Sequence, residues 1–383
     1  MYNTELGWFC GEHENWEELL TAEPYYLKIK EDGPYVIFNY DQLRSDFNNS
    51  MVREARGIIF RKGQWDNPVC WAFNKFGNYG ESYAPEISWS TALVSEKVDG
   101  SLMKVWWDGS WKISTNGTID AWKAELGDVR MPNFGEYFTQ TVERYYPNCS
   151  VFLCDLDEDK TYMFELVGPY NRVVVPYDEP RLYFLGARNK FTGEEFDCSS
   201  LSAGALGMGR FDLPKKYPIN SLEHCIKLTE SFPWDAEGFV VSDVHGNRVK
   251  VKSPAYVMAH FARNNNVINR KHLIKVVLTN EVEEFLCYAE DYREELEKVQ
   301  GLMKAYCRVG DQIAKSCQRL YDIPKKTYAA WVQTLPKIYQ DLAFRNYNDI
   351  KSTKDYTAGW NENKWDTYLE AFEQLMNDLY IKE

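Results

Sequence analysis

Near residue 260 the hydrophobic pattern of this chain changes period, and that change restricts its possible folds more than any other feature. Before it, apolar residues come in short runs cut by Gly, Asn and Pro: "RGIIF", "LVSEKVDGSLMKVWW", "YMFELVG", "RVVVPY", "LYFLGAR", "GFVVSD" and "RVKVKS". These runs carry the β-branched and aromatic bias of strands. "GARNKFTGEEF" reads as a strand, a turn at Thr192-Gly193 and a return. Helices are expected only around Glu14 to Leu20 and Phe134 to Tyr146. After "RNNN" (Arg263 to Asn266) the texture differs. Val282, Phe285, Ala289, Tyr292, Leu296, Val299, Met303 and Tyr306 recur at alternating steps of three and four, as on one amphipathic helix several turns long. Pro324 and Pro336 each stand where a new helix begins, and Trp365, Leu369, Phe372, Met376 and Leu379 form a last stripe. The chain therefore divides into residues 1–263 and a helical domain, 264–383. No β–α–β alternation is present, so the first domain is expected to be α+β with mainly antiparallel sheets.

The bulk numbers exclude several classes. At 383 residues the chain can hold two cores. No stretch reaches the ~18 uninterrupted apolar residues of a membrane helix, and "MYNTELGWFCGEHENWEELL" lacks the pattern of a signal peptide. The nine cysteines are scattered, with no Cys-x-x-Cys pair, and read as reduced cytoplasmic thiols. A net charge of −13 argues against a general nucleic-acid coat, although a local basic groove on an acidic body remains open.

One short stretch raises a chemical question. In "EKVDGSLMKVWW" Lys97 stands two residues before an Asp-Gly pair. Asp-Gly is a common hairpin turn, with Leu102, Val105 and Trp106 as plain strand residues. A lysine held at a turn can also serve as a nucleophile. Lys-x-Asp-Gly arises by chance in roughly one chain in twelve of this length, so the rest of the chain has to decide.

Four other stretches place charge in strand-like runs. Arg56 stands beside Gly57 in "EARGIIF", a glycine that would let a ligand approach the backbone. Glu165 interrupts "MFELVG", and Glu237-Gly238 opens "EGFVVSD". Lys250 and Lys252 are two apart, so on a strand both amines share one face and Val249 and Val251 the other. Singly, each has a plainer reading, such as an edge-strand lysine that discourages aggregation. Together they are what attack by an amine on a nucleoside triphosphate requires. Neighbouring cations disfavour the charged lysine and neutralise the α-phosphate, while carboxylates hold ribose hydroxyls or the waters of Mg²⁺. The Gly-rich phosphate loops of P-loop and Rossmann proteins are absent.

The order Arg56-Gly57, Lys97-x-Asp99-Gly100, Phe164-Glu165, Glu237-Gly238 and Lys250-x-Lys252 resembles the covalent nucleotidyltransferase superfamily of polynucleotide ligases and mRNA capping enzymes. The match is closest to the ATP-dependent RNA ligase 1 family of T-even-like bacteriophages. "REARGIIF", "NKFGN", "KVDGSL", "FELVGPYNRVVV", "AEGFVV" and "VKVKSPAYV" each look like a counterpart of a stretch in that family, over roughly residues 50 to 262. That family also carries a helical C-terminal domain where DNA ligases and capping enzymes have an OB-fold. The resemblance implies a nucleotidyltransferase (adenylyltransferase) domain, ATP with Mg²⁺ or Mn²⁺, and a lysyl-AMP intermediate on Lys97. By it, Glu165 and Glu237 engage ribose and metal waters, and Lys250 and Lys252 the α-phosphate. Arg56 and Lys75 look like ligands of the outgoing phosphates or the RNA end. Tyr256 matches a tyrosine near the adenine, with a packing role equally open. One departure is Asn116 in "WKISTNGTI", where the family usually has a basic residue, with Lys112 or Lys104 as substitutes.

The implied activity is ATP-dependent RNA ligation: AMP passes to an RNA 5′-phosphate, and a 3′-hydroxyl then displaces it. The implied setting is RNA repair, on a nicked tRNA, by a monomer in the cytoplasm (a host's, if phage-encoded). The alternatives are a DNA ligase, a capping-type nucleotidyltransferase, or a non-catalytic RNA-end binder of the same fold.

Overall fold

The computed structural model describes residues 2–261, 270–279, 281–286, 289–320, 323–348 and 365–380. It divides into two compact units, one of Met1–Asp41 with Ser45–Arg263 and one of Gln42–Arg44 with Asn264–Glu383. The expected boundary at 263/264, with "RNNN", lies outside the described residues.

Among the described residues fourteen strands, all in the first unit, run in chain order as β1 (Lys28–Asp32), β2 (Tyr35–Asn39), β3 (Arg56–Arg61), β4 (Leu93–Glu96), β5 (Ser101–Trp107), β6 (Trp111–Thr115), β7 (Glu125–Asp128) and β8 (Met131–Asn133). They continue as β9 (Lys160–Val167), β10 (Arg181–Asn189), β11 (Glu195–Phe196), β12 (Lys216–Tyr217), β13 (Gly238–Ser242) and β14 (Arg248–Lys252). Four antiparallel sheets result: β1-β2-β3, β11-β10-β9-β5-β6, β12-β4-β13-β14, and the hairpin β7-β8.

Period-2 alternation explains what each sheet buries. On β9, Tyr162, Phe164 and Leu166 enter a core with Met103 and Val105 of β5 and Phe138 and Val142 of the helix Phe134–Val142. The opposite face of β9 carries Met163 and Glu165, which is why a carboxylate interrupts that apolar run. On the four-stranded sheet Val94, Phe239, Val241, Val249 and Val251 form a second core. Lys250 and Lys252 are therefore left on the other face.

The structure corrects three expectations here. Asp99-Gly100 is not a hairpin turn, because β4 and β5 belong to different sheets and residues 97–100 cross between them. "RVVVPY" is irregular, because the Val174 and Val175 amides bond the Asp99 carboxylate instead of a neighbouring strand. The first unit also holds short helices beyond the two expected, which are observed as Trp16–Thr21 and Phe134–Val142. Five of the others, beginning at Glu5, Ser50, Cys149, Ser200 and Leu222, follow side-chain caps from Thr4, Asn49, Asn148, Ser199 and Ser221.

The described residues of the second unit form helices Arg270–Leu278, Val282–Leu286, Arg293–Arg319, Lys325–Val332, Lys337–Asn348 and Trp365–Tyr380, with a 3-10 turn Glu290–Tyr292. The stripe from Val282 to Tyr306 is thus broken, not one helix. Glu290, Asp291, Glu294 and Glu295 gather where the long helix starts, the end at which the backbone dipole favours acids. Helices do follow Pro324 and Pro336. Leu369 and Phe372 of the last stripe are buried, while the side chains of Trp365, Met376 and Leu379 lie outside those described.

Candidate active site

A cavity of about 280 Å³ lies in the first unit, lined by residues of β3, β4, β5, β9, β13 and β14. Lys97 enters it directly after β4, its backbone N–H donating to Gly238 O at 2.9 Å. Its Nζ pairs with Glu237 Oε1 at 2.6 Å. Glu237 is buried, and its other oxygen, Oε2, has no hydrogen-bond partner.

The crossing segment 97–100 is fixed from two sides. Asp99 Oδ2 accepts from Val174 N (2.8 Å) and Val175 N (2.7 Å), and Oδ1 accepts from the Tyr256 hydroxyl (2.8 Å). A Cβ on Gly100 would meet Leu166 O at 2.4 Å, so only glycine lets the turn lie this close to β9. That approach brings Lys97 beside Glu165, which pairs with Leu102 across β5 and β9. Burial pushes the Glu165 carboxyl up to about 8, against Lys97 and Arg56 and helped by Glu237 and Asp99. Burial also raises Glu237, against Lys97 and Lys252.

Three cations line up on one face of β14. Arg248 and Lys250 line the cavity, and Lys252, two residues on, lies near Glu237. Burial holds Lys250 well below the ordinary lysine range, and Lys75, Lys252, Lys97 and Arg56 push it the same way. Arg56 lines the cavity with its guanidinium over the Phe76 ring, 5.4 Å from the centroid. Lys75 is not among the lining residues; its Nζ lies over Phe47 (4.6 Å), Tyr40 (5.1 Å) and Tyr83 (6.0 Å). Tyr256 does not line the cavity either. Its ring is buried and its hydroxyl holds Asp99.

Asn116 lines the cavity with Oδ1 buried and without a hydrogen-bond partner. Neither expected substitute lines the cavity, although the Lys104 amine lies beside Asn116: a Cβ on Gly57 would meet Lys104 Nζ at 2.8 Å and Asn116 Oδ1 at 3.0 Å. Lys104 is buried and donates to Gly57 O, and Lys112 lies over Tyr35 (5.6 Å) and donates to Ser110 Oγ. Gly57, with φ 73°, is approached by the protein's own backbone: a Cβ there would meet Asn116 O at 2.4 Å.

Sequence reasoning missed Arg248, Phe73 and Phe76. For Arg248 the signal was present, since Arg248-x-Lys250-x-Lys252 repeats a cation at every second residue. Among the described residues no cluster of three or more His, Cys, Asp or Glu side chains is placed to hold a metal by itself. Glu237 Oε2 and the Glu165 carboxylate nonetheless suit a hydrated Mg²⁺, which needs only one or two carboxylates beside substrate phosphates. The eight cysteines in the described residues are free thiols, and no described helix is long and apolar enough to cross a membrane.

No family model matches the chain. It is 30% identical over 282 residues to the "Putative bifunctional polynucleotide kinase/RNA ligase" of Autographa californica nuclear polyhedrosis virus, covering 69% of this chain and 39% of that protein. It is 27% identical over 352 residues to the "RNA ligase" of Rhodothermus phage RM378, covering 77% and 78% respectively. A solved structure titled "Archaeal ATP-dependent RNA ligase - form 2" aligns over 78% of each chain with a TM-score of 0.45 and 12% identity. The chain thus spans well under half of the first relative and about four-fifths of the second, and what it is similar to is proteins named RNA ligase.

Proposed function

We propose that this chain is an ATP-dependent RNA ligase that joins RNA 5′-phosphate and 3′-hydroxyl ends through a lysyl-AMP and an RNA-adenylate. The observation that carries the reading is Lys97, on a segment that Asp99 anchors and paired with Glu237 in a cavity rich in cations. Similarity to the phage protein named RNA ligase supports it over most of both chains.

In this reading Lys97 Nζ attacks the α-phosphorus of ATP; an N–P bond forms and the bond to pyrophosphate breaks. The ammonium proton has to leave first, and Glu237, 2.6 Å away with its proton affinity raised by burial, is placed to take it. Lys250 and Lys252 stabilise the charge that builds on the α-phosphate. Arg56 and Lys75 take the outgoing phosphates or the RNA end. Glu165 and Glu237 would hold a hydrated Mg²⁺, which screens the negative charge of the leaving pyrophosphate. The AMP then passes to the RNA 5′-phosphate, and the 3′-hydroxyl of the acceptor end displaces it.

The finer reading is kinship with the RNA ligase 1 family of T-even-like phages, repair of a nicked tRNA loop, and action as a monomer in the cytoplasm. We assign adenylyl transfer to the first unit. The helical unit, with exposed Lys325 and Lys326, would favour a folded RNA by shape and backbone contacts. The test is a joining assay with ATP and Mg²⁺ on RNA and DNA strands of one sequence, each with 5′-phosphate and 3′-hydroxyl ends, and on a nicked stem-loop RNA. Sealed RNA with AMP release is expected. Joining of DNA alone, or RNA binding without any joining, would replace this reading by one of the alternatives.

A further inference from the structure

The cations of the candidate active site divide by whether a carboxylate pairs with them. Lys97 pairs with Glu237 at 2.6 Å, and Arg248 with Glu195 at 2.9 Å. Arg56, Lys75 and Lys250 make no ion pair among the described residues. These three lie over aromatic rings with no carboxylate partner, whereas Arg248 lies over Phe73 (4.0 Å) and Phe76 (5.5 Å) with Glu195 paired to it as well. Arg56 and Lys250 are 5.4 and 5.1 Å from the centroid of one ring, Phe76, and Lys75 is seated against Phe47 and Tyr40.

A carboxylate and a ring face both attract a cation, but they differ toward an incoming phosphate. The carboxylate occupies the N–H donors and adds a negative charge that repels the ligand. The ring attracts through its quadrupole, carries no net charge and leaves the donors open. Phe76 is also firmly placed. Lys250 N donates to Gly77 O (3.0 Å) and Tyr79 N donates to Lys250 O (2.9 Å), so the segment carrying the ring is bonded to the strand carrying the amine. The ring packs with Phe73, Leu102 and Leu185 on the wall of the cavity.

We propose that Phe76 is a positioning residue for the polyphosphate of ATP, its ring holding Arg56 and Lys250 together with no carboxylate on either, although one Arg56 N–H donates to Phe73 O (3.4 Å). This rests on the function proposed above. It predicts that loss of the ring weakens capture of ATP more than it slows the chemical step.

The experiment follows covalent labelling of the full chain by labelled ATP over a range of ATP concentrations. It compares the unaltered protein, Phe76→Tyr, Phe76→Leu, and a series with one, two and five fluorines on the Phe76 ring. Fluorination drains the ring face while nearly preserving its shape, so it reads the quadrupole and not the packing. Half-saturating ATP should rise about tenfold in Phe76→Leu, climb stepwise along the fluorine series, and stay within about twofold for Phe76→Tyr. The maximal rate should change less than the half-saturating concentration in every case. A flat fluorine series in a protein that labels normally would overturn the role of Phe76 and leave the ligase reading standing, even if Phe76→Leu fails to fold. No labelling of the unaltered protein would overturn the ligase reading, and this proposal with it.

Discussion

The two units of the molecule bury different things. Every buried polar or charged side chain among the described residues lies between Thr4 and Ser253, and these include Asp99, Lys104, Glu237 and Lys252. The core of the helical unit is Tyr306, Cys307, Tyr328, Val332, Tyr339, Leu342 and Phe372, with tyrosine hydroxyls spent on backbone carbonyls. Burying a charge is costly unless it is paired or hydrogen-bonded, so a unit that does so repeatedly is built around an arrangement of charge. The helical unit is built around packing. If that contrast is right, substitutions in the first unit should cost rate, and comparable ones in the second should cost stability.

The largest expected effect is at Lys97. Lys97→Ala should abolish covalent labelling by ATP while still sealing RNA that already carries a 5′-adenylate, because the last step uses a hydroxyl nucleophile. A variant that labels normally would remove the contrast at its root. Next come Lys250→Ala and Lys252→Ala, each expected to slow lysyl-AMP formation about a hundredfold or more, the ~2.7–4 kcal/mol of a lost transition-state donor. Val251→Leu, on the buried face of the same strand, should lower the unfolding temperature with little change in rate. Measuring all three side by side sharpens the comparison within one strand.

A smaller effect is expected from pH. Burial raises Glu165 from 4.5 to about 8, so the folded chain keeps this proton where the unfolded chain has lost it. Its contribution to stability is present in full below pH 4.5 and is lost as pH rises to about 8. The rate of labelling should rise over the same limb as the carboxylate forms, and Mg²⁺ should move the midpoint to lower pH. In Glu165→Gln the midpoint should cease to respond to Mg²⁺; an unchanged response would remove Glu165 from the metal. The smallest effect is in the helical unit. Tyr328→Phe removes a buried hydrogen bond to Ala343 O and should cost ~1 kcal/mol in denaturant unfolding, with the labelling rate untouched.

Much of the site was legible because strand periodicity turns spacing into geometry. Lys250 and Lys252 share a face since Val249 and Val251 are buried, and Glu165 breaks an apolar run since it points away from Phe164. What could not be read was which neighbour each residue meets. "KVDG" looks like a hairpin turn, and only contacts with Val174, Val175 and Tyr256, distant in sequence, make it a crossing between sheets. For the same reason Gly57 reads as room for a ligand when Asn116 fills it, and Tyr256 reads equally as a base contact or a packing residue, while the bond of its hydroxyl to Asp99 is not legible. The short helices were legible in principle, through Thr4, Asn49, Asn148, Ser199 and Ser221. The break after Val282–Leu286 was not, because the apolar stripe runs on through it unchanged.

The central claim is that the first unit carries a nucleophilic lysine, and one measurement addresses it directly. The full chain is incubated with ATP and Mg²⁺, its intact mass is recorded, and the adduct is located by peptide mapping under conditions that preserve phosphoramidates. The account predicts a gain of one AMP per chain, on the peptide that contains Lys97, reversed by added pyrophosphate. An adduct on any other residue, or no adduct while ATP is still consumed and RNA ends are joined, would contradict it.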